Sequence, residues 1–401
     1  MRTHSPRARD KRCNEETVGN LQPSATEHGP KGTDSSNGQP KIDKYFKAMM
    51  DMGASDLHLK ANSPARFRMN GSIRKTENQP LSNEKVESLI FEIMNDYQRK
   101  RYAEKGSMDF AHQLGDLDRF RINVFRQRGL TSVAARRVPI DILGYDELHL
   151  PPILRTLADL QQGLILVAGI TGSGKSTTIA AMLEQINCTR ACHVVTIEDP
   201  IEFLYVDKKA FVNQREVGLD VDDFADALKY LMREDPDVVL IGEMRDHETF
   251  AAALHAAESG HLVFGTVHSS TTASTITRVL ELFPEEARGL IRSSLVFNLQ
   301  AIVCQKLLPG LDPKAPRVPA VEIMLCNSTV RKLIAEGREN EIQDVIRGSR
   351  EEGMIDFTEA LKQLVDKEFI STQTAYAVAP NPDELKMRLK GIQVSSGGII
   401  G

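Results

Sequence analysis

The sequence predicts an α/β protein: a parallel-sheet core with a helical C-terminal part, preceded by a smaller α+β unit. Three observations carry this. Beyond residue 156 the apolar runs GLILVAG, HVVTIED, DVVLIGE and HLVFGTVH alternate with helical stretches, as expected for strands covered on both faces. Ahead of them, residues 42–140 mix strand and helix patterns without a βαβ rhythm. The first apolar run ends in GITGSGKST, residues 169–177, too rich in glycine and hydroxyls for a core segment.

Taken in order, residues 1–41 are rich in Ser, Pro, Gly, Thr and charge and hold few large apolar side chains. They cannot bury enough surface to offset their ordering entropy, so a disordered tail is predicted. IDKYFKAMMDMG reads as a helix stopped at Gly53, and SDLHLKA as a strand with Leu57 and Leu59 on one face. ARFRMNGSIRK reads as a hairpin turning at Asn70-Gly71, and SNEKVESLIFEIM as a helix capped from Ser82. FRINVFRQRG and TSVAARRVP supply two more strands. Residues 141–155 hold Pro151 and Pro152 and read as a linker to a larger domain over 156–391, with a flexible tail at 392–401. From about residue 285 the chain is expected to be mostly helical, including EEARGLIRSSLVFNLQAIVCQ.

Composition narrows the function classes. With 401 residues, 41% apolar and 26% charged, the chain fits a soluble protein of two or three domains. A net charge of −5 gives no global bias toward nucleic acid. No run of about 18 apolar residues marks a membrane span, and the polar N-terminus shows no secretory signal. Five sparse cysteines suit a reducing cytoplasm. Cys188 and Cys192 stand as C-x3-C without a second pair and read as ordinary thiols rather than a metal site.

GITGSGKST fits G-x-x-x-x-G-K-[ST] between a buried strand and a helix. Glycines at 169, 172 and 174 permit close backbone approach, so successive N–H groups face phosphates at a helix N-terminus. The binding stretch is Gly169, Ile170, Thr171, Gly172, Ser173, Gly174, Lys175, Ser176 and Thr177. Lys175 would supply charge to the phosphates, and the Ser176 hydroxyl can ligate Mg²⁺, with Thr177 behind it. DPDVVLIGEMRD brings Glu243 to the end of a second strand. With Gly242 in place of a first acid, its metal contact would run through water; alternatively, Glu243 and Arg245 pair with each other. Glu198, Asp199 and Glu202 in TIEDPIEF lie at a third strand end, where one could orient an attacking water, or where they cap the next helix or pair with Arg215. His261 and His268 bracket a fourth strand, where an imidazole could donate to a phosphate oxygen or be merely structural.

Together GASDLHL, RFRINVF, GITGSGKSTT, TIEDPIEF, NQREVG, REDPDVVLIGEMRD, ESGHLVFGTVHSS, VRKLIAEG and REEGMIDFTEAL resemble the secretion ATPase superfamily, and within it the type IV pilus retraction ATPases. The resemblance covers about residues 42–390. It implies a PAS-like N-terminal domain and a RecA-like P-loop ATPase core that uses ATP and Mg²⁺ as a homo-hexamer. It also implies an enzyme on the cytoplasmic face of the inner membrane that turns a platform protein and acts on pilin indirectly. On matching positions it implies Glu202 as general base, Glu243 in the magnesium and water network, and His261 and His268 as nucleotide sensors. Arg121 and Arg136 would act as arginines against the phosphates, with Arg278 a further match; from the residues alone, the strand arginines read as a solvated face. Cys304 and Cys326 lack the paired-cysteine element of extension and type II secretion relatives, and the family's AIRNLIRE reads TVRKLIAE here, Thr329 to Glu336. The rival readings are a pilus extension or type II secretion ATPase, a non-motor nucleotide switch, and a DNA-moving ring.

Overall fold

A computed structural model describes residues 40–69, 71–115, 118–138 and 141–392. Among these, one compact unit comprises residues 40–114 and Arg121–Arg137, and the other comprises Gly115–Phe120 and residues 138–392.

The first unit is α+β. Its elements are α1 (Asp43–Asp51), β1 (Asp56–Lys60), β2 (Arg66–Met69), β3 (Ser72–Lys75), α2 (Asn83–Phe91), α3 (Asp96–Lys105), β4 (Ser107–Gln113), β5 (Arg119–Gln127) and β6 (Leu130–Val138). The strands form one sheet in the order β3-β2-β1-β6-β5-β4. Leu57 and Leu59 are buried on the shared face that the alternation predicts. The Ser82 hydroxyl accepts from the Lys85 N–H at 3.2 Å and caps α2. Gly71 turns the β2–β3 hairpin at φ +80°; Asn70 lies outside the described residues. Helix α3 and strand β4 have no counterpart in the sequence reading. An Asn95/Gln98 capping box starts α3, but its polar sequence DYQRKRYAEK offers little periodicity to detect.

The second unit contains α4 (Ile153–Ala158), β7 (Gly163–Ala168), α5 (Lys175–Thr189), β8 (His193–Glu198), β9 (Phe211–Glu216), α6 (Phe224–Leu231) and β10 (Val238–Ile241). It continues with α7 (His247–Glu258), β11 (Leu262–Val267), α8 (Thr272–Glu281), α9 (Glu285–Asn298), β12 (Leu299–Pro309) and β13 (Arg317–Leu325). Helices α10 (Ser328–Glu336), α11 (Ile342–Gly348), α12 (Phe357–Asp366), α13 (Thr372–Val378) and α14 (Pro382–Leu389) complete it. The sheet order is β13-β12-β7-β11-β10-β8-β9. Strands β7, β10 and β11 are buried at every residue, because apolar layers cover both faces of the sheet.

Two expectations need correction. The predicted helix running through AIVCQ ends at Asn298; Leu299–Pro309 is instead a strand parallel to β7, with β13 antiparallel at the sheet edge. A short apolar run carries no periodicity that separates a buried helix from a buried strand, and here the β-branched residues at 302 and 303 go with the strand. The stretch read as linker already contains the start of α4: Pro152 stands at its N-cap, a position that needs no N–H donor.

Candidate functional site

Parallel register decides which side chains meet. Ala168 of β7 pairs with Val267 of β11, so Gly169 and His268 leave the sheet side by side. Ile241 of β10 pairs with Ile197 of β8, which brings Gly242 and Glu243 beside Glu198. The phosphate-loop, histidine, GEMRD and acidic motifs therefore share one carboxyl edge, the place where open parallel sheets bind ligands.

The loop is shaped as a cradle. Gly169 has φ +152° and Gly174 φ +90°, and a Cβ on Gly169 would lie 2.4 Å from the Ser173 Oγ. Helix α5 begins at Lys175 behind Gly174 with no side chain capping it. Its first-turn N–H groups are thus without side-chain acceptors and free to meet an anion. The Ser173 hydroxyl is buried without a partner. Lys175 donates through Nζ to the carbonyls of Gly169, at 2.9 Å, and Ile170, at 3.3 Å. Burial lowers the Lys175 pKa, and the charge of Glu243 opposes that shift. Ser176 and Thr171 are exposed, and Thr177 is half-buried.

Glu243 is held twice. Its Oε1 lies 2.9 Å from His268 Nε2, and its Oε2 accepts from Arg245 at 2.5 Å. The Arg245 hydrogen bond is the largest influence on its pKa, which falls below the usual glutamate range despite the opposing effect of burial. The segment is anchored to β11: Thr266 donates to the Gly242 carbonyl at 2.5 Å, and Met244 N–H to the Thr266 carbonyl at 3.0 Å. Glu243 thus makes the Arg245 pairing that the residues alone allowed and the histidine contact as well.

The acidic motif separates into distinct environments. Glu198 is buried, with its pKa raised by desolvation; Thr196 donates to it at 2.7 Å and Gln214 at 3.3 Å. Glu202 is exposed, and its backbone N–H donates to Glu198 at 3.4 Å. Arg215 pairs with Glu234 instead of with this group. His261 sits at the amino end of β11, where its Nδ1 lies 2.9 Å from the Ala256 carbonyl. Six strand residues separate it from His268, about 20 Å of extended chain.

Arg278 lines a cleft of about 880 Å³ with Thr171, His268 and Glu281. In the first unit, Arg121 and Arg136 line one shallow cleft of about 180 Å³ with Asp109 and Asn123. Arg121 is exposed, while Arg136 donates through Nε to Asp56 at 2.9 Å. Burial pushes the Asp56 pKa up, but hydrogen bonds from Ser55 and Arg136 and the charges of Arg136 and Arg68 outweigh it and bring it down.

Sequence reasoning missed Gln305. Its side chain joins the loop to β12 from more than a hundred residues away, and no motif marks it. Among the described residues no cluster of three or more His, Cys, Asp or Glu could hold a metal, and no helix is long and apolar enough to cross a membrane. One Ser hydroxyl and one carboxylate nevertheless suit Mg²⁺, which is commonly held by few protein oxygens together with substrate phosphates.

The family profile described as "Type II/IV secretion system protein" matches residues 32–378. The chain is 43% identical over 331 residues to the type IV pilus retractation ATPase PilT of Pseudomonas aeruginosa, a match spanning 82% of this chain and 96% of that protein. The type IV pilus ATPase PilU of the same organism is 37% identical over 350 residues, or 87% and 91% of the two chains. The solved structure of the pilus retraction motor PilT with bound ADP matches with TM-score 0.81 at 41% identity, over 87% of this chain and 99% of that one. The Legionella pneumophila ATPase DotB matches with TM-score 0.71 at 27% identity, over 86% and 97%.

Proposed function

The chain belongs to the type II/IV secretion system protein family, as an ATPase of the pilus retraction kind, and we propose that it binds ATP on the loop Gly169–Thr177 and hydrolyses it to power retraction. The observation that supports this best is the parallel register, which gathers that loop, His268, Glu243 and Glu198 on one sheet edge.

The N–H groups of the loop and of the first turn of α5 bind the phosphates, and Lys175 adds its charge. Ser176, and Glu243 through water, would hold Mg²⁺, which when bound would supply charge neutralisation to the phosphates. Glu202 accepts the proton as water oxygen bonds to the γ-phosphorus and the bond to the β-phosphate oxygen breaks. Glu198, through the Glu202 backbone N–H, fixes the turn that carries this base. His268 keeps Glu243 oriented through their shared contact and registers the loss of the γ-phosphate. Arg121 and Arg136, from a PAS-like N-terminal unit, stabilise charge that develops in the transition state. The RecA-like core assembles as a homo-hexamer at the cytoplasmic face of the inner membrane. There it turns a platform protein and returns pilin to the membrane.

Phosphate release by the full chain tests this reading. Wild type turns ATP over, Lys175→Ala falls to background, and Glu202→Gln binds nucleotide without turnover. A Lys175→Ala protein at the wild-type rate would refute the site. In cells, deletion is expected to leave excess pili that do not retract; bald cells would point to extension instead.

A further inference from the structure

We infer that Gln305 is a positioning residue for the phosphate loop, an inference that rests on reading that loop as the nucleotide site. Gln305 lies on β12 between β7 and β13; it pairs with Val321 of β13, one residue past the last β7 pair, Cys304 with Ala168. The pairing of Cys304 with Ala168 carries Gln305 alongside Gly169, where the loop begins. Its side chain is buried. Nε2 donates to the Ser173 carbonyl at 2.8 Å, and Oε1 accepts from the Thr178 hydroxyl at 2.7 Å. The amide orientation is forced, because a backbone carbonyl can only accept.

One planar amide thus ties the later part of the loop, at Ser173, to Thr178 in the first turn of α5. Two glycines of the loop are shaped around it. A Cβ on Gly174 would lie 2.7 Å from Gln305 Nε2, and one on Gly169 would lie 2.6 Å from the Gln305 carbonyl oxygen. The backbone of β12 therefore demands glycine at 169, and the left-handed backbone, at φ +90°, demands it at 174. With Ser173 O tied to Gln305, the trans peptide it belongs to keeps the Gly174 N–H pointing the opposite way, away from Gln305. A loop released from that anchor can rotate this peptide and lose a phosphate donor.

Titration of the full chain with a fluorescent ADP derivative and Mg²⁺ tests the proposal, with adenosine as the phosphate-free control. Gln305→Met keeps side-chain length and loses both hydrogen bonds; Gln305→Glu keeps the acceptor for Thr178 and loses the donor to Ser173. Both are expected to raise the ADP Kd by about tenfold with unchanged binding stoichiometry and unchanged adenosine affinity. Combining Gln305→Met with Thr178→Val should add nothing to Gln305→Met alone. A variant that merely unfolds lowers the stoichiometry, not the affinity of the folded fraction, and circular dichroism with Gln305→Glu as the second variant separates the two effects. ADP affinity equal to wild type in both folded variants would overturn the positioning role. Wild type failing to bind ADP would overturn the phosphate-site reading itself.

Discussion

The two ends of strand β11 carry the same residue type in opposite circumstances. At the amino end, His261 lies against the Ala256 carbonyl, and that edge is closed by backbone: Gly163 N–H donates to the His261 carbonyl at 2.9 Å and Leu262 N–H to that of Asp237 at 3.1 Å. At the carboxyl end, His268 meets a carboxylate, beside an uncapped helix N-terminus and a buried hydroxyl without a partner. Parallel strands point the same way, so connections into the strands satisfy one edge while loops leaving them open the other. The histidine at the first edge lies against a backbone carbonyl; the one at the second meets a carboxylate.

Substitutions on the two edges can break this contrast. The largest effect belongs to Lys175, where alanine should reduce ATP turnover by at least about 100-fold, measured as steady-state phosphate release. Next comes Glu243→Gln, which keeps the shape of the side chain but removes its charge; if Glu243 serves the metal and water as proposed, a loss of roughly 100-fold with nucleotide still bound is expected. His268→Ala should cost about tenfold in turnover, whereas His261→Ala should stay within about threefold and instead lower stability by about 1 kcal/mol in a urea titration. Equal effects of the two histidine substitutions on turnover would erase the contrast between edges.

The smallest effect is a pH dependence at Glu198. Its folded-state pKa is raised by burial, so the folded protein binds more protons than the unfolded chain from the ordinary glutamate value up to the raised one. Stability from this group is present below that window and falls as pH rises through it. Glu198→Gln removes the ionisation, so the variant should lose less thermal stability than wild type as pH rises above the ordinary glutamate range. A steeper loss in the variant would contradict the buried-carboxyl assignment.

The contrast also explains what could be read in advance. The apolar runs at 163–168, 238–241 and 262–267 are legible because both-face burial leaves no polar alternation. The phosphate loop is legible because its glycine spacing answers a local geometric need. Strand β9, FVNQRE, was invisible because an edge strand with exposed residues needs no apolar run. Strand β12 was mistaken for helix because AIVCQ is too short to show a period. With β12 misread, Gln305 had no route to the loop, since only the β7–β12 register places residue 305 beside residue 169. The contacts of Glu243 divide in the same way. Arg245, two residues on, was foreseeable from the sequence; His268 comes from another strand and depends on sheet order.

The most direct measurement is a crystal structure of the full chain with Mg²⁺ and a non-hydrolysable ATP analogue. The account predicts phosphate density against the N–H groups of Gly172 to Lys175, with the cation beside Ser176. An ordered analogue bound elsewhere, with that loop empty, would contradict it.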